Sequence, residues 1–337
     1  MPGNAVSVSG LVIKYDEQKA LDLDILGFEQ GQIHVLIGPN GSGKTTLLRA
    51  IAGLEKPAAG KVSLLGEDLY GLPRKEFRRA TRAVSLCFQK PYLFNTSVRR
   101  NIEYGLRFRD LSVSQKRQRV DSAVDVLALD PFLERNAHGL SAGEAQRVAI
   151  ARVIALKPEV TLLDEPAANV DASNKSRVES AITSLQVEGS TVIVATHHME
   201  QAYRLSANVV RLEDGRIAPP AVENLLEGVI NEENGSTVLA IEGGSLVYIV
   251  SEKRGPARAA IDPSDIIISK ESISSSARNS LPARIVALSE LDTKVVVTAD
   301  TGLKLVAHIT PKSFHSLGIT LGSKIFLTFK ASAVTVF

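Results

Sequence analysis

Residues Gly38-Pro39-Asn40-Gly41-Ser42-Gly43-Lys44-Thr45 constrain this chain more than any other stretch. They fit the pattern G-x-x-x-x-G-K-[ST], follow the apolar run 32–37 and open a helical stretch at 44–52. A polyphosphate needs several donors at short range, and glycines let the backbone curl until its N–H groups point inward. The partial positive charge of a helix N-terminus adds to the cradle. Lys44 is placed to reach the β- and γ-phosphates, the Thr45 hydroxyl to ligate Mg²⁺, and Thr46 to add a hydrogen bond. The bland alternative is a glycine-rich turn with an incidental lysine. The strand before and the helix after argue against it, and ATP with Mg²⁺ is the expected ligand.

A second apolar run, Val160-Thr161-Leu162-Leu163, ends in Asp164-Glu165-Pro166. In an α/β sheet, ligands sit beyond the C-terminal strand ends. Asp164 is thereby placed to hold Mg²⁺, and Glu165 to orient or deprotonate an attacking water. Alone, such a pair is commonly a solvated turn. The upstream phosphate loop favours the functional reading.

Apolar runs at 6–13, 21–28, 32–37, 83–88, 160–163, 191–195 and 209–213 read as strands. Helical patterns fall at 44–52, 98–107, 112–127, 141–156, 173–186 and 199–205. The β–α alternation implies a largely parallel sheet covered by helices. Beyond Asp214-Gly215 the texture becomes all-β, with runs at 236–241, 245–250, 266–269, 283–288, 294–299, 304–309 and 324–329, and predicts one small barrel or two. Two domains are expected, 1–218 and 222–337, with Pro219-Pro220 as the linker; a length of 337 residues exceeds what one core usually serves.

Leu140-Ser141-Ala142-Gly143-Glu144-Ala145-Gln146-Arg147 resembles the L-S-G-G-Q signature of ABC ATPases. By itself it is also an ordinary serine-capped helix start. The other elements follow in that family's order. Tyr15 stands where such ATPases place an adenine-stacking aromatic, although a half-exposed strand tyrosine is the plain reading. Gln89 follows a strand like the family's Q-loop glutamine, which senses Mg²⁺ and the γ-phosphate. Asn169-Val170-Asp171 is similar to the D-loop, with Asp171 the firm match, and His197 stands at the switch histidine.

The resemblance implies an α/β P-loop NTPase domain, ATP hydrolysis with Glu165, His197 and Gln89 as catalytic residues, and a head-to-tail homodimer. Lys44 and its loop, including Gly38, Asn40, Gly41, Ser42 and Gly43, would then face Ser141, Gly143 and Asp171 of the other chain. A membrane permease docking near the Gln89 loop and the 92–104 stretch, with Arg99 and Arg100, is the implied partner. Through it comes a periplasmic or extracellular substrate-binding protein.

The tail is similar to regulatory TOBE and Mop-like domains, which implies an OB-like barrel. Ser276-Ala277-Arg278-Asn279, Ser313-Phe314-His315-Ser316-Leu317-Gly318 and Lys330-Ala331-Ser332-Ala333-Val334 carry the likeness, over about 274–337. It implies oxyanion sensing at Ser276, Ala277, Arg278, Asn279, Lys330 and Ser332, for tetrahedral molybdate or tungstate. A purely structural barrel stands beside that reading. The same engine for sulfate, sugar, polyamine or ferric ion is the alternative cargo reading. A non-transport ABC ATPase is disfavoured by the short 44–141 interval, and a stand-alone oxyanion store by the complete ATPase set.

Charge bears on partners: 39 basic and 37 acidic side chains leave +2, which gives no case for nucleic acid. One cysteine, Cys87, excludes an intrachain disulfide. The first residues do not read as a secretory signal, and no apolar run approaches the ~20 residues of a membrane helix. A peripheral position on the cytoplasmic membrane face, through the permease, is expected.

Overall fold

The computed structural model describes residues 3–16, 18–168, 170–219, 224–233, 235–241, 245–291 and 294–337, with backbone alone at 172, 173 and 291. Asn169 of the D-loop reading and Pro220 of the linker reading lie outside the described residues. The chain divides into two compact units, Met1–Pro219 and Pro220–Phe337.

The first unit runs β1 (Asn4–Tyr15), β2 (Gln18–Glu29), β3 (Ile33–Ile37), α1 (Lys44–Ile51), β4 (Ala59–Leu64), β5 (Glu67–Asp68), α2 (Arg74–Ala80), β6 (Val84–Cys87) and α3 (Val98–Glu103). It continues through α4 (Val113–Leu127), α5 (Ala142–Leu156), β7 (Val160–Asp164), α6 (Ala172–Val187), β8 (Thr191–Thr196), α7 (Met199–Leu205), β9 (Val209–Glu213) and β10 (Arg216–Ala218). One sheet has the order β2-β1-β4-β5 and is antiparallel. The other has the order β10-β9-β3-β8-β7-β6, parallel except for β10.

Every residue of β3, β7 and β8 is buried, as expected of parallel strands covered on both faces. The pairings Ile37↔Thr196 and Asp164↔Ala195 bring the C-terminal ends of β3, β8 and β7 level. That gathers the phosphate loop, the acid pair and the histidine run at one sheet edge. Leu36, Leu47, Ile51, Leu162 and Ile193 form the core beneath it.

Local chemistry sets the helix starts. Ser112 and Ser141 each accept a hydrogen bond from the backbone N–H three residues on, and Gln115 and Glu144 reach back to the serine N–H. The helix expected over 98–107 ends sooner: α3 stops at Glu103 and tightens into a 3-10 turn, Tyr104–Phe108. Gly105 packs there against Leu156, whose Cδ2 would lie 2.9 Å from an added Cβ. The pattern reading did not place β4 or α2, because Ala59–Leu64 opens on exposed Ala-Gly-Lys and α2 buries no residue.

The second unit holds β11 (Asn224–Glu233), β12 (Ser236–Ile241), β13 (Leu246–Tyr248), β14 (Gly255–Ile261), β15 (Ile267–Ser269) and β16 (Asn279–Leu291). It ends with β17 (Lys294–Asp300), β18 (Lys304–Ile309), α8 (Pro311–Leu317), β19 (Lys324–Phe329) and β20 (Val334–Val336). Two five-stranded antiparallel sheets result, β13-β12-β11-β14-β20 and β15-β19-β16-β17-β18. This is the strand-rich, OB-like architecture expected of the tail. The sheets share one core containing Leu239, Ile261, Val297, Leu327 and Phe329.

Two buried amides join these sheets in reciprocal fashion. Asn224 on β11 accepts from the Val306 N–H at 2.6 Å and donates to the Val306 and Ile261 carbonyls. Asn279 on β16 accepts from the Tyr248 N–H at 2.8 Å and donates to the Tyr248 carbonyl at 2.9 Å. Asn224→Ala and Asn279→Ala would each leave buried backbone groups unpaired. Each should lower the stability of the second unit by about 1–3 kcal/mol in urea titrations; unchanged midpoints would deny the amides this role.

Candidate nucleotide site

The loop between β3 and α1 is possible only with glycine at defined points. Gly38 has φ +153, and a Cβ there would sit 2.1 Å from the Leu212 carbonyl oxygen. Gly43, the residue before α1, has φ +98, with Leu21 Cδ2 2.5 Å from where a Cβ would stand. The backbone therefore passes close to its neighbours while keeping its cradle open.

A cavity of about 440 Å³ lies over this loop. Tyr15, Asn40, Gly41, Ser42, Gly43, Lys44, Thr45, Thr46, Gln89, Asp164 and Glu165, all singled out from sequence, line it. Gly38 stands just outside, beneath the loop. Tyr15 is 46 % exposed at the end of β1, and its hydroxyl donates to Glu55 Oε2 at 3.1 Å. The ring is thus exposed where it lines the cavity.

Lys44 is buried, and its ammonium donates to the Gly38 and Pro39 carbonyls at 2.7 and 2.9 Å. Burial lowers its pKa from the ordinary lysine value, while the carboxylates of Glu165 and Asp164 act the other way. The Thr45 hydroxyl donates to Asp164 Oδ2 at 2.8 Å and so spans the two motifs. Burial raises the Asp164 pKa; the Thr45 bond opposes this, the Glu165 charge adds to it and Lys44 offsets part.

Glu165 has φ +47, left-handed backbone that a glutamate rarely adopts. Its N–H donates to the Ala195 carbonyl on β8 at 2.8 Å, which holds the turn. The carboxylate is buried: Oε1 lies 2.7 Å from His197 Nδ1, and Oε2 is 3.2 Å from the Thr196 hydroxyl. Hence His197 reaches the site through Glu165. Thr196 and Gln201, 3.1 Å apart and both buried, are site residues the motif reading passed over. A threonine inside an all-apolar strand end was the available signal.

Ser141, Gly143 and Asp171 do not line this cavity. Ser141 caps α5 and Gly143 lies in its first turn; the contact with the Ser141 N–H holds the Glu144 carboxyl below the ordinary range. Asp171 caps α6, accepting from the Asn174 N–H at 3.0 Å. Beside Gln89, a second cavity of about 350 Å³ opens between Phe88, Pro91 and Tyr92 and the α5 residues Arg152 and Leu156. Arg99 pairs with Asp121 and Glu134 at 3.5 Å each, while Arg100 is exposed.

In the second unit, pairing of Asn279 with Phe329 sends 276–278 and 330–332 from the same end of β16 and β19. Three of the six expected oxyanion groups are engaged otherwise. The Asn279 amide is buried against Tyr248. Arg278 lies 4.5 Å over the Tyr248 ring and donates to Ser236 Oγ, and the Ala277 N–H donates to Ser275 Oγ. Packing of the strand start withdraws Asn279, and Arg278, although exposed, is held at Tyr248 and Ser236; Ser276, Lys330 and Ser332 are exposed.

Residues 22–168 match the family model described as ABC transporter, and residues 275–336 match that described as TOBE domain. The chain is 35 % identical to the molybdate/tungstate import ATP-binding protein WtpC of Pyrococcus horikoshii, over 91 % of this chain and 93 % of that protein. Its counterpart in Pyrococcus abyssi is 33 % identical, over 96 % and 97 %. A solved dimeric structure of MJ0796, a bacterial ABC transporter cassette, superposes with a TM-score of 0.59 at 28 % identity, covering 64 % of this chain and 97 % of that one.

A carboxylate whose folded pKa is raised disfavours folding once pH rises through that pKa. Asp164→Asn, which still accepts from Thr45, should therefore stabilise the ligand-free chain by about 0.5–2 kcal/mol at neutral pH. The gain should shrink as pH falls and vanish below the ordinary value of 3.8, where wild-type Asp164 is also neutral. Denaturant titrations across pH read this directly; a variant less stable at pH 7 would contradict it.

Proposed function

The chain belongs to the ABC transporter ATP-binding family, and from that premise we propose that it is the ATP-hydrolysing subunit of a molybdate or tungstate importer. The observation that carries the enzymatic part is the Thr45–Asp164 bond, with Glu165 beside it. One point gathers a phosphate cradle, hard oxygen donors and a held carboxylate.

In this reading the N–H groups of 40–46 bind the β- and γ-phosphates, and Lys44 exchanges its loop carbonyls for phosphate oxygens. Tyr15 stacks on the adenine. The Thr45 and Asp164 oxygens fit a small hard cation, reached also by Gln89. Mg²⁺ held there would neutralise charge on the phosphates. Glu165 accepts the proton of a water whose oxygen bonds to the γ-phosphorus while the bond to the β-phosphate bridging oxygen breaks, giving ADP and phosphate. His197 and Thr196 hold the Glu165 carboxylate. No covalent enzyme intermediate is needed, because positioning and charge stabilisation dominate this transfer.

Ser141, Gly143 and Asp171, away from their own chain's cavity, face the nucleotide of a second copy in a homodimer. Hydrolysis then depends on closure, which couples it to movement. The groove beside Gln89, with exposed Tyr92, receives a short helix of a membrane permease. No described helix is long and apolar enough to cross a membrane itself. Through the permease the chain stands on the cytoplasmic face and serves an external substrate-binding protein.

Similarity to the molybdate/tungstate proteins extends over nine-tenths of the chain, second unit included, and this supports the cargo. Ser276, Lys330 and Ser332 are the oxyanion donors left available.

Glu165→Gln should keep ATP affinity and lose about 10²–10⁴-fold in turnover. Lys44→Ala should weaken ATP binding in equilibrium titration. Near-normal hydrolysis in the first or unchanged binding in the second removes that residue from its role. Calorimetric titration of the full chain with tungstate, molybdate and sulfate tests the sensor: heat with the first two supports it, and no heat at millimolar oxyanion ends it.

A further inference from the structure

The end of β8 carries two histidines in sequence, and hydrolysis calls on only the first. His197 and His198 are exposed, with ring centroids 3.9 Å apart. His198 opens α7, and its N–H donates to the Thr196 hydroxyl oxygen at 3.2 Å. Across from both stands the buried Glu165 carboxylate, delivered by the left-handed turn after β7. One ligand atom from each of the three lies within 4.8 Å of the others. Among the described residues this is the one such trio of His, Cys, Asp or Glu.

We propose that Glu165, His197 and His198 form a binding site for a borderline divalent transition cation, of which Zn²⁺ is the type. Two imidazoles and one carboxylate are a ligand set zinc takes readily, with water completing a tetrahedron. Bonds of about 2.0–2.2 Å place tetrahedral ligand atoms about 3.4 Å apart. The trio's ligand atoms lie within 4.8 Å of one another, and the two imidazoles that would have to turn are exposed. The carboxylate is already oriented: Thr196 engages Oε2, and Oε1 meets His197. Such an outer contact is what fixes a metal-binding carboxylate. The ligands issue from adjacent parallel strand ends paired Asp164↔Ala195, so the backbone needs no reordering. Nitrogen donors separate this site from the all-oxygen Thr45–Asp164 pair, which suits a harder cation.

Occupation ties down the oxygen of Glu165 that the hydrolytic reading needs. Zinc binding is therefore inhibitory, a consequence that rests on that reading, whereas the binding itself does not.

The test uses the full chain without nucleotide. Co²⁺, as an optical stand-in, and then Zn²⁺ are titrated into wild type, His198→Ala and His315→Ala, the last a histidine of the second unit. One equivalent per chain is expected, with tetrahedral d–d bands in wild type and His315→Ala. His198→Ala should bind at least about ten-fold more weakly. Because His198 is exposed, unchanged melting of the variant in metal-free buffer confirms that it folds. Equal affinity in wild type and His198→Ala, or no saturable uptake by wild type, overturns the site. In the ATPase assay, Zn²⁺ should inhibit wild type at concentrations that spare His198→Ala. A wild type that binds zinc and hydrolyses at full rate refutes the inhibitory consequence and, with it, the role of Glu165, while leaving the metal site standing.

Discussion

A hydroxyl–carboxylate bond of 2.8 Å between Thr45 and Asp164 joins two segments 119 residues apart, and the rest of the first unit serves to make it possible. Thr45 stands in the first turn of α1, which the loop after β3 leads into, Asp164 at the end of β7, and β8 lies between β3 and β7. A register slip of one residue between β7 and β8 would turn Asp164 to the other face of the sheet. The fully buried strands resist such a slip, since both faces are covered by helices and the antiparallel sheet.

The same edge of the sheet holds groups that the fold would be more stable without. Asp164 is buried enough for its pKa to rise, Lys44 enough for its own to fall, and Glu165 has a left-handed backbone. Each is tolerable because a specific neighbour meets it: Thr45 for Asp164, the Gly38 and Pro39 carbonyls for Lys44, His197 and Thr196 for Glu165. Those partners are exchangeable contacts rather than a sealed network, which is what a site that must admit phosphate and water requires. Under the two proposals, one carboxylate near two imidazoles would serve either as proton acceptor or as metal ligand, and those uses would exclude each other.

The second unit solves a different problem. Its two sheets are held together by polar as well as apolar contacts. Asn224 and Asn279 bond backbone groups across the two sheets, one from each side. A motif residue that looked like a ligand, Asn279, is in this way part of the frame. Ser276, Lys330 and Ser332, beside it, are the residues of the oxyanion proposal.

Much of the cassette was legible in the residues themselves. The phosphate loop, the acid pair, the serine cap at Ser141 and the three buried strands depend on neighbours within a few positions, so pattern and backbone rules suffice to place them. The α3 boundary was not legible, because it depends on Leu156 packing over Gly105; nor was β4, which sequence alternation barely marks. The contacts of Thr196, the burial of Asn279 in the frame with Arg278 laid over Tyr248, and the approach of His198 to Glu165 were decided only by tertiary structure. Each is a contact between segments far apart in the chain, and such contacts acquire partners only once strand order and register are set.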